Sequence, residues 1–132
     1  MITIKALIEI VGFPEAHVNE TMEKVVEKLE KENGIRIINK KIGKAEKVKE
    51  MFSSFADLEL DMDDIENLMS FCFNYLPSSV EIQDVTELTI KTKNLTGSLN
   101  DMLGKIHEYN HLLTNIHAEN IMLKQKLGQS PE

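Results

Sequence analysis

The stretch His107-Glu108-Tyr109-Asn110-His111 places two imidazoles one helical turn apart around a carboxylate. In zinc peptidases an H-E-x-x-H pair binds the metal through both imidazoles, the Glu polarises the bound water, and a third His arrives after a turn made possible by Gly. His117 has the spacing of that third ligand, but Thr114 stands where the Gly would be. A β-branched residue disfavours the backbone conformation that would swing His117 back to a metal. The sequence therefore predicts no catalytic residue, no cofactor and no resident metal, and a zinc-binding protein or metallopeptidase is kept only as a third reading of this stretch.

Two charge clusters come next. Asp57, Glu59, Asp61, Asp63, Asp64 and Glu66 alternate like the ligands of a calcium loop, yet the turn Gly is missing and Leu68 replaces the closing bidentate Glu. The outer face of a strand followed by a helix cap accounts for them. Arg36, Lys40, Lys41, Lys44, Lys47 and Lys49 are opposed within their stretch only by Glu46. They could hold an anion or an RNA backbone, but without interleaved aromatics for stacking they read as protection of a sheet edge. The net charge of −7 also argues against nucleic acid. No Gly-rich phosphate loop, Ser/His/Asp order or Cys cluster is present, and His17 reads as a surface residue.

The elements that must position these residues follow from periodicity. Ile2, Ile4, Ala6, Ile8 and Ile10 alternate with Thr3, Lys5 and Glu9, the period of a half-buried strand. After Gly12-Phe13-Pro14, the residues Val18, Met22, Val25, Val26 and Leu29 recur at helical spacing, and Asn33-Gly34 supplies a stop. Ile35 and Ile37, with Lys40 and Ile42 as its continuation, begin a second strand, followed by a loop or frayed edge through the lysines. Ala56, Leu58, Leu60 and Met62 form a third. Asp63 and Glu66 make a capping-box-like start for a helix expected to bury Ile65, Leu68, Met69, Cys72 and Leu76, leaving Phe71 and Tyr75 on a second apolar face for an interface. Val80, Ile82, Thr86, Leu88 and Ile90 read as a fourth strand with a break near Asp84.

Strand, helix, strand, strand, helix, strand is the split βαβ order, and in this pattern residues 1–92 resemble a ferredoxin-like α+β fold. That resemblance implies a sheet layered with two helices. It implies no single function, because the fold hosts sensing, RNA-binding, metal-carrying, enzymatic and dimerisation domains.

The strongest signal lies beyond it. Leu95, Leu99, Met102, Ile106, Tyr109, Leu113, Ile116, Asn120, Leu123 and Leu127 are spaced by four and three residues in strict alternation, the seam of a coiled coil. With Leu99 at a, Asn120 is the single polar a residue, and Glu119 and Lys124 are the g and e residues that bridge two parallel helices. Leu103, Leu112, Ile121 and Met122 widen the stripe. His107 and His111 fall at b and f, away from the seam. A helix over 95–127 spans roughly 45–50 Å at 1.5 Å per residue, beyond the width of a domain this size.

The reading is thus a ferredoxin-like βαββαβ sandwich over 1–92, a C-terminal oligomerisation helix over 93–127 and a flexible tail over 128–132. One cysteine, Cys72, precludes an internal disulfide and fits a reducing compartment. The N-terminal run carries Lys5 and lacks a cleavage site, and no apolar run is long enough to span a bilayer, so a cytoplasmic protein without membrane contact is expected. The functional expectation is a non-enzymatic assembly or adaptor module. Its partner is itself, with a dimer favoured, and another protein is a further candidate. The alternative is a small-molecule-sensing regulatory domain.

Overall fold

The computed structural model describes residues 1–128; residues 129–132 of the expected tail lie outside the described residues. The chain divides into two compact units, Met1–Lys91 and Thr92–Glu132.

In the first unit the order is β1 (Ile2–Gly12), α1 (Glu15–Glu30), β2 (Ile35–Ile42), β3 (Glu46–Val48), β4 (Met51–Met62), α2 (Ile65–Tyr75) and β5 (Ser79–Gln83). The sheet runs β2-β4-β1-β5, with β3 also on β4, and all its pairings are antiparallel. This is the split βαβ connection expected for a ferredoxin-like sandwich. Register fixes the faces. Ile4 lies opposite Leu60 on one side and Ile82 on the other, so the apolar alternation of β1, β4 and β5 falls on one face of the sheet. On that face Ile2, Ile4, Ala6, Ile8, Ala56, Leu58, Leu60 and Met62 are buried with Val18, Met22, Val26 and Leu29 of α1 and with Leu68 and Phe71 of α2. A register shift between Ile37 and Asn39 turns Lys40 toward the helix layer, where its Nζ donates to Glu30 of α1, and sends Lys41 to the open face.

Several expectations are corrected. The lysine-rich stretch is not simply a loop: β3 and β4 form a hairpin through Lys49-Glu50, with Lys49 at φ 58°. The fourth strand ends at Gln83, because Asp84 takes φ 62° and turns the chain out of the sheet, so Thr86, Leu88 and Ile90 belong to no strand. Asp64, not Asp63, caps α2 by accepting a hydrogen bond from Asn67 N (2.8 Å), while Asp63 accepts from Arg36 Nη1 (2.9 Å). Leu76 is exposed and closes α2 in the left-handed conformation. Phe71 is not on a second face. It is 1% exposed in the core, so its ring has no surface left for a partner.

Gly34 is required where α1 gives way to β2. It has φ 79°, and a Cβ there would lie 2.5 Å from Asn67 Nδ2.

Candidate functional site

The second unit is built on α3 (Thr92–Lys126), one uninterrupted helix of 35 residues, or about 50 Å. Its interior contains no Pro, and it extends across both Gly97 and Gly104. Gly128 N donates to Gln125 O beyond its end, with Gly128 at φ 72°. Helical continuity puts the four-and-three-spaced residues along one side. None of the residues of α3 is buried. Exposure along the seam runs from 41% at Tyr109 to 66% at Leu113 and 73% at Leu127, and only Leu95 and Met102 are half-buried. Leu103, Leu112 and Met122 beside the seam are also exposed. A stripe this long and apolar is uncommon on a surface that stays in water.

The histidines are placed by the same helix. Thr114 is an ordinary helical residue whose Oγ1 donates back to Asn110 O (2.9 Å), so the chain makes no turn there. His117 therefore lies about 15 Å along the axis from His107 and on another side of the helix. One ion cannot reach both. Among the described residues no group of three or more His, Cys, Asp or Glu side chains is placed to hold a metal.

The first unit offers a different surface, the sheet face opposite its helices. Asp57, Glu59 and Asp61 of β4 point there, each beside a cation or hydroxyl on a neighbouring strand: Lys41 opposite Asp57, Lys5 opposite Glu59, and Thr3 Oγ1 donating to Asp61 (2.6 Å). This is cross-strand compensation on a solvated face, and it disposes of the calcium-loop pattern. A shallow hollow of about 440 Å³ lies over its centre, lined by Lys5, Leu7, Asn39, Lys41, Asp57 and Glu81 among others. Toward the hairpin the face turns apolar, with Val11, Val48, Met51 and Phe55 exposed around a groove of about 530 Å³. Sequence reading missed this end of the sheet, although Met51, Ser53 and Phe55 continue the alternation of β4. Of the basic cluster, Arg36 pairs with Asp63, Lys40 with Glu30, Lys41 faces the hollow and Lys49 lies in the hairpin turn.

Tyr75 stacks on Phe71 (centroids 5.5 Å apart) and donates its hydroxyl to Glu32 (2.8 Å), tying α2 to the end of α1. Burial, and then the Glu32 carboxylate, raise its phenol well above the usual tyrosine range. Half-buried Cys72 is raised by burial, as befits an inert packing thiol.

These features define a small α+β domain and, as a second unit, an amphipathic helix with no buried residue. The chain belongs to the MJ0538 family, which it matches over residues 3–131. No curated protein and no solved structure matches it. No helix among the described residues is long and apolar enough to cross a membrane.

Proposed function

We propose that this protein is a non-enzymatic assembly or adaptor module that homo-oligomerises through α3. The observation that carries the reading is the seam: ten residues at heptad spacing, nine on one continuous helix and Leu127 just past its end, with none of them buried. Covering a Leu or Ile fully is worth about 1.5–3 kcal/mol, so seam burial across several heptads outweighs the entropy lost when two chains associate. The α+β domain is then a head with its own core and an open sheet face for other contacts, and the single, packing-type Cys72 fits a reducing cytoplasm. The test is mass against concentration: light scattering should give a multiple of 15.1 kDa, and a single-chain mass at every concentration would sink the proposal.

The hollow over the sheet favours one second reading, a regulatory domain that binds a small zwitterion between Lys41 or Lys5 and the carboxylates of Asp57 or Glu81. Titration calorimetry against amino acids, nucleotides and divalent metals separates the two. A saturable heat lost in Lys41→Ala supports sensing, and no heat with any of them leaves the assembly reading alone.

A further inference from the structure

We propose that two copies of α3 pair parallel and in register, so that both chains enter the coil at the same end and the assembly carries two α+β heads together. This rests on the assembly reading above and adds the orientation of the partner, a second copy of this chain. This pairing covers the whole seam while giving its polar members partners.

Seam position 120 is the constraint. Asn120 is exposed in the single chain and sits between Leu113, Ile116, Leu123 and Leu127. Its amide both donates and accepts, so in a coil it needs a polar group across from it. In the parallel, in-register pair Asn120 meets Asn120 of the second copy, amide to amide, and every other seam residue meets its own apolar or aromatic copy. Glu119 at g then lies beside Lys124 at e of the second copy, twice by symmetry. Parallel pairs slipped by one heptad set Asn120 against Leu113 or Leu127 and lose two layers at each end.

Antiparallel pairing fails differently. The alignment that overlaps the full seam sets Leu99 across from Leu123 and Leu95 across from Leu127, and it places Asn120 against Met102, whose thioether is a weak acceptor and no donor. It does bring Lys105 beside Glu119, so the charges alone do not choose. Sliding one heptad sets Asn120 across from Tyr109, a polar partner, but strips Leu95 and Leu99 of any covering residue. Only the parallel in-register arrangement covers all ten seam residues and pairs the amide. Because each head joins its helix at Thr92, the two heads of a parallel pair are tethered at one end, where a repeated or two-fold symmetric target engages both with the gain of a linked second site.

Site-specific disulfides in the full chain test the orientation. In a Cys72→Ser background, Leu95→Cys and Leu127→Cys are made singly and equilibrated in a glutathione redox buffer. The parallel pair predicts that each variant alone becomes a covalent dimer and that mixing the two adds little Leu95→Cys to Leu127→Cys product. If neither links alone but Leu127→Cys links to Leu95→Cys or Met102→Cys on mixing, the pairing is antiparallel; the orientation is then wrong while assembly through α3 stands. No covalent dimer in any mixture, with a single-chain mass in reducing buffer, overturns both.

Discussion

Helices α1 and α3 obey the same rule of apolar spacing and end in opposite states. In α1 the residues Val18, Met22, Val26 and Leu29 are all at most 2% exposed, because a 16-residue helix fits along its own sheet. In α3 the helix continues for 35 residues and none of them is buried. Amphipathicity therefore says that a helix needs a cover, and length says whether its own domain suffices. The first helix is part of a completed core, and the second contributes no residue to one.

The largest way to break that comparison is to remove one side of it. Ending the chain after Lys91 should leave a domain that still unfolds cooperatively but has a single-chain mass, because every residue of its core lies within Met1–Lys91. Unchanged subunit number by light scattering would show that α3 is not the interface.

Two truncations of similar size sharpen it. Phe71→Ala should cost about 3–5 kcal/mol and lower the melting temperature equally at all protein concentrations, since the ring packs inside one chain. If a second copy covers the seam, Leu113→Ala should cost about 2–5 kcal/mol with a midpoint that rises with concentration. Thermal melts over a hundredfold concentration range distinguish them, and identical behaviour would erase the difference between the two regions.

These contrasts were unevenly legible in the sequence. The strands β1 and β4 and the helix α1 were readable because one face of each is apolar and the other polar, and the heptads of α3 were readable because nothing interrupts them. Phe71 was misassigned because α2 has apolar residues on more than one side, Leu68, Met69, Phe71, Cys72, Phe73 and Leu76, so spacing alone could not tell which the sheet would cover. Strand β3 was hidden because Glu46–Val48 pairs with β4 through its backbone while all three side chains stay exposed, so no apolar alternation marks it. The end of β5 was set by the positive φ of Asp84, a tertiary choice that leaves Thr86, Leu88 and Ile90 with strand-like spacing and no strand. Of the candidate site, the seam was visible and the sheet hollow was not, because Lys5, Lys41, Asp57 and Glu81 lie far apart in the chain and only register brings them to one face.

A smaller effect separates the regions by pH. Tyr75 has its phenol raised by burial and by Glu32, so the neutral form is the one the fold stabilises. Its contribution is fully present below the unfolded tyrosine value of about 10 and is lost as pH rises above it through the raised folded value. Head stability should therefore fall above that pH more steeply in the native chain than in Tyr75→Phe. Denaturant melts between neutral and strongly alkaline pH measure the difference, and parallel curves would contradict it. The smallest expected change is Asp64→Ala, which removes the α2 cap at a cost of about 1 kcal/mol and leaves subunit number untouched.

Whether α3 is covered by another copy is read from Asn120→Ile. Sedimentation equilibrium and thermal melting of this variant and the native chain, over the same concentrations, read cover and specificity together. The account predicts a native chain whose mass exceeds 15.1 kDa and whose melt depends on concentration, and a variant that melts higher with a broader distribution of masses, because the amide that enforced register is gone. Both proteins sedimenting as single chains, with melts independent of concentration, would contradict it.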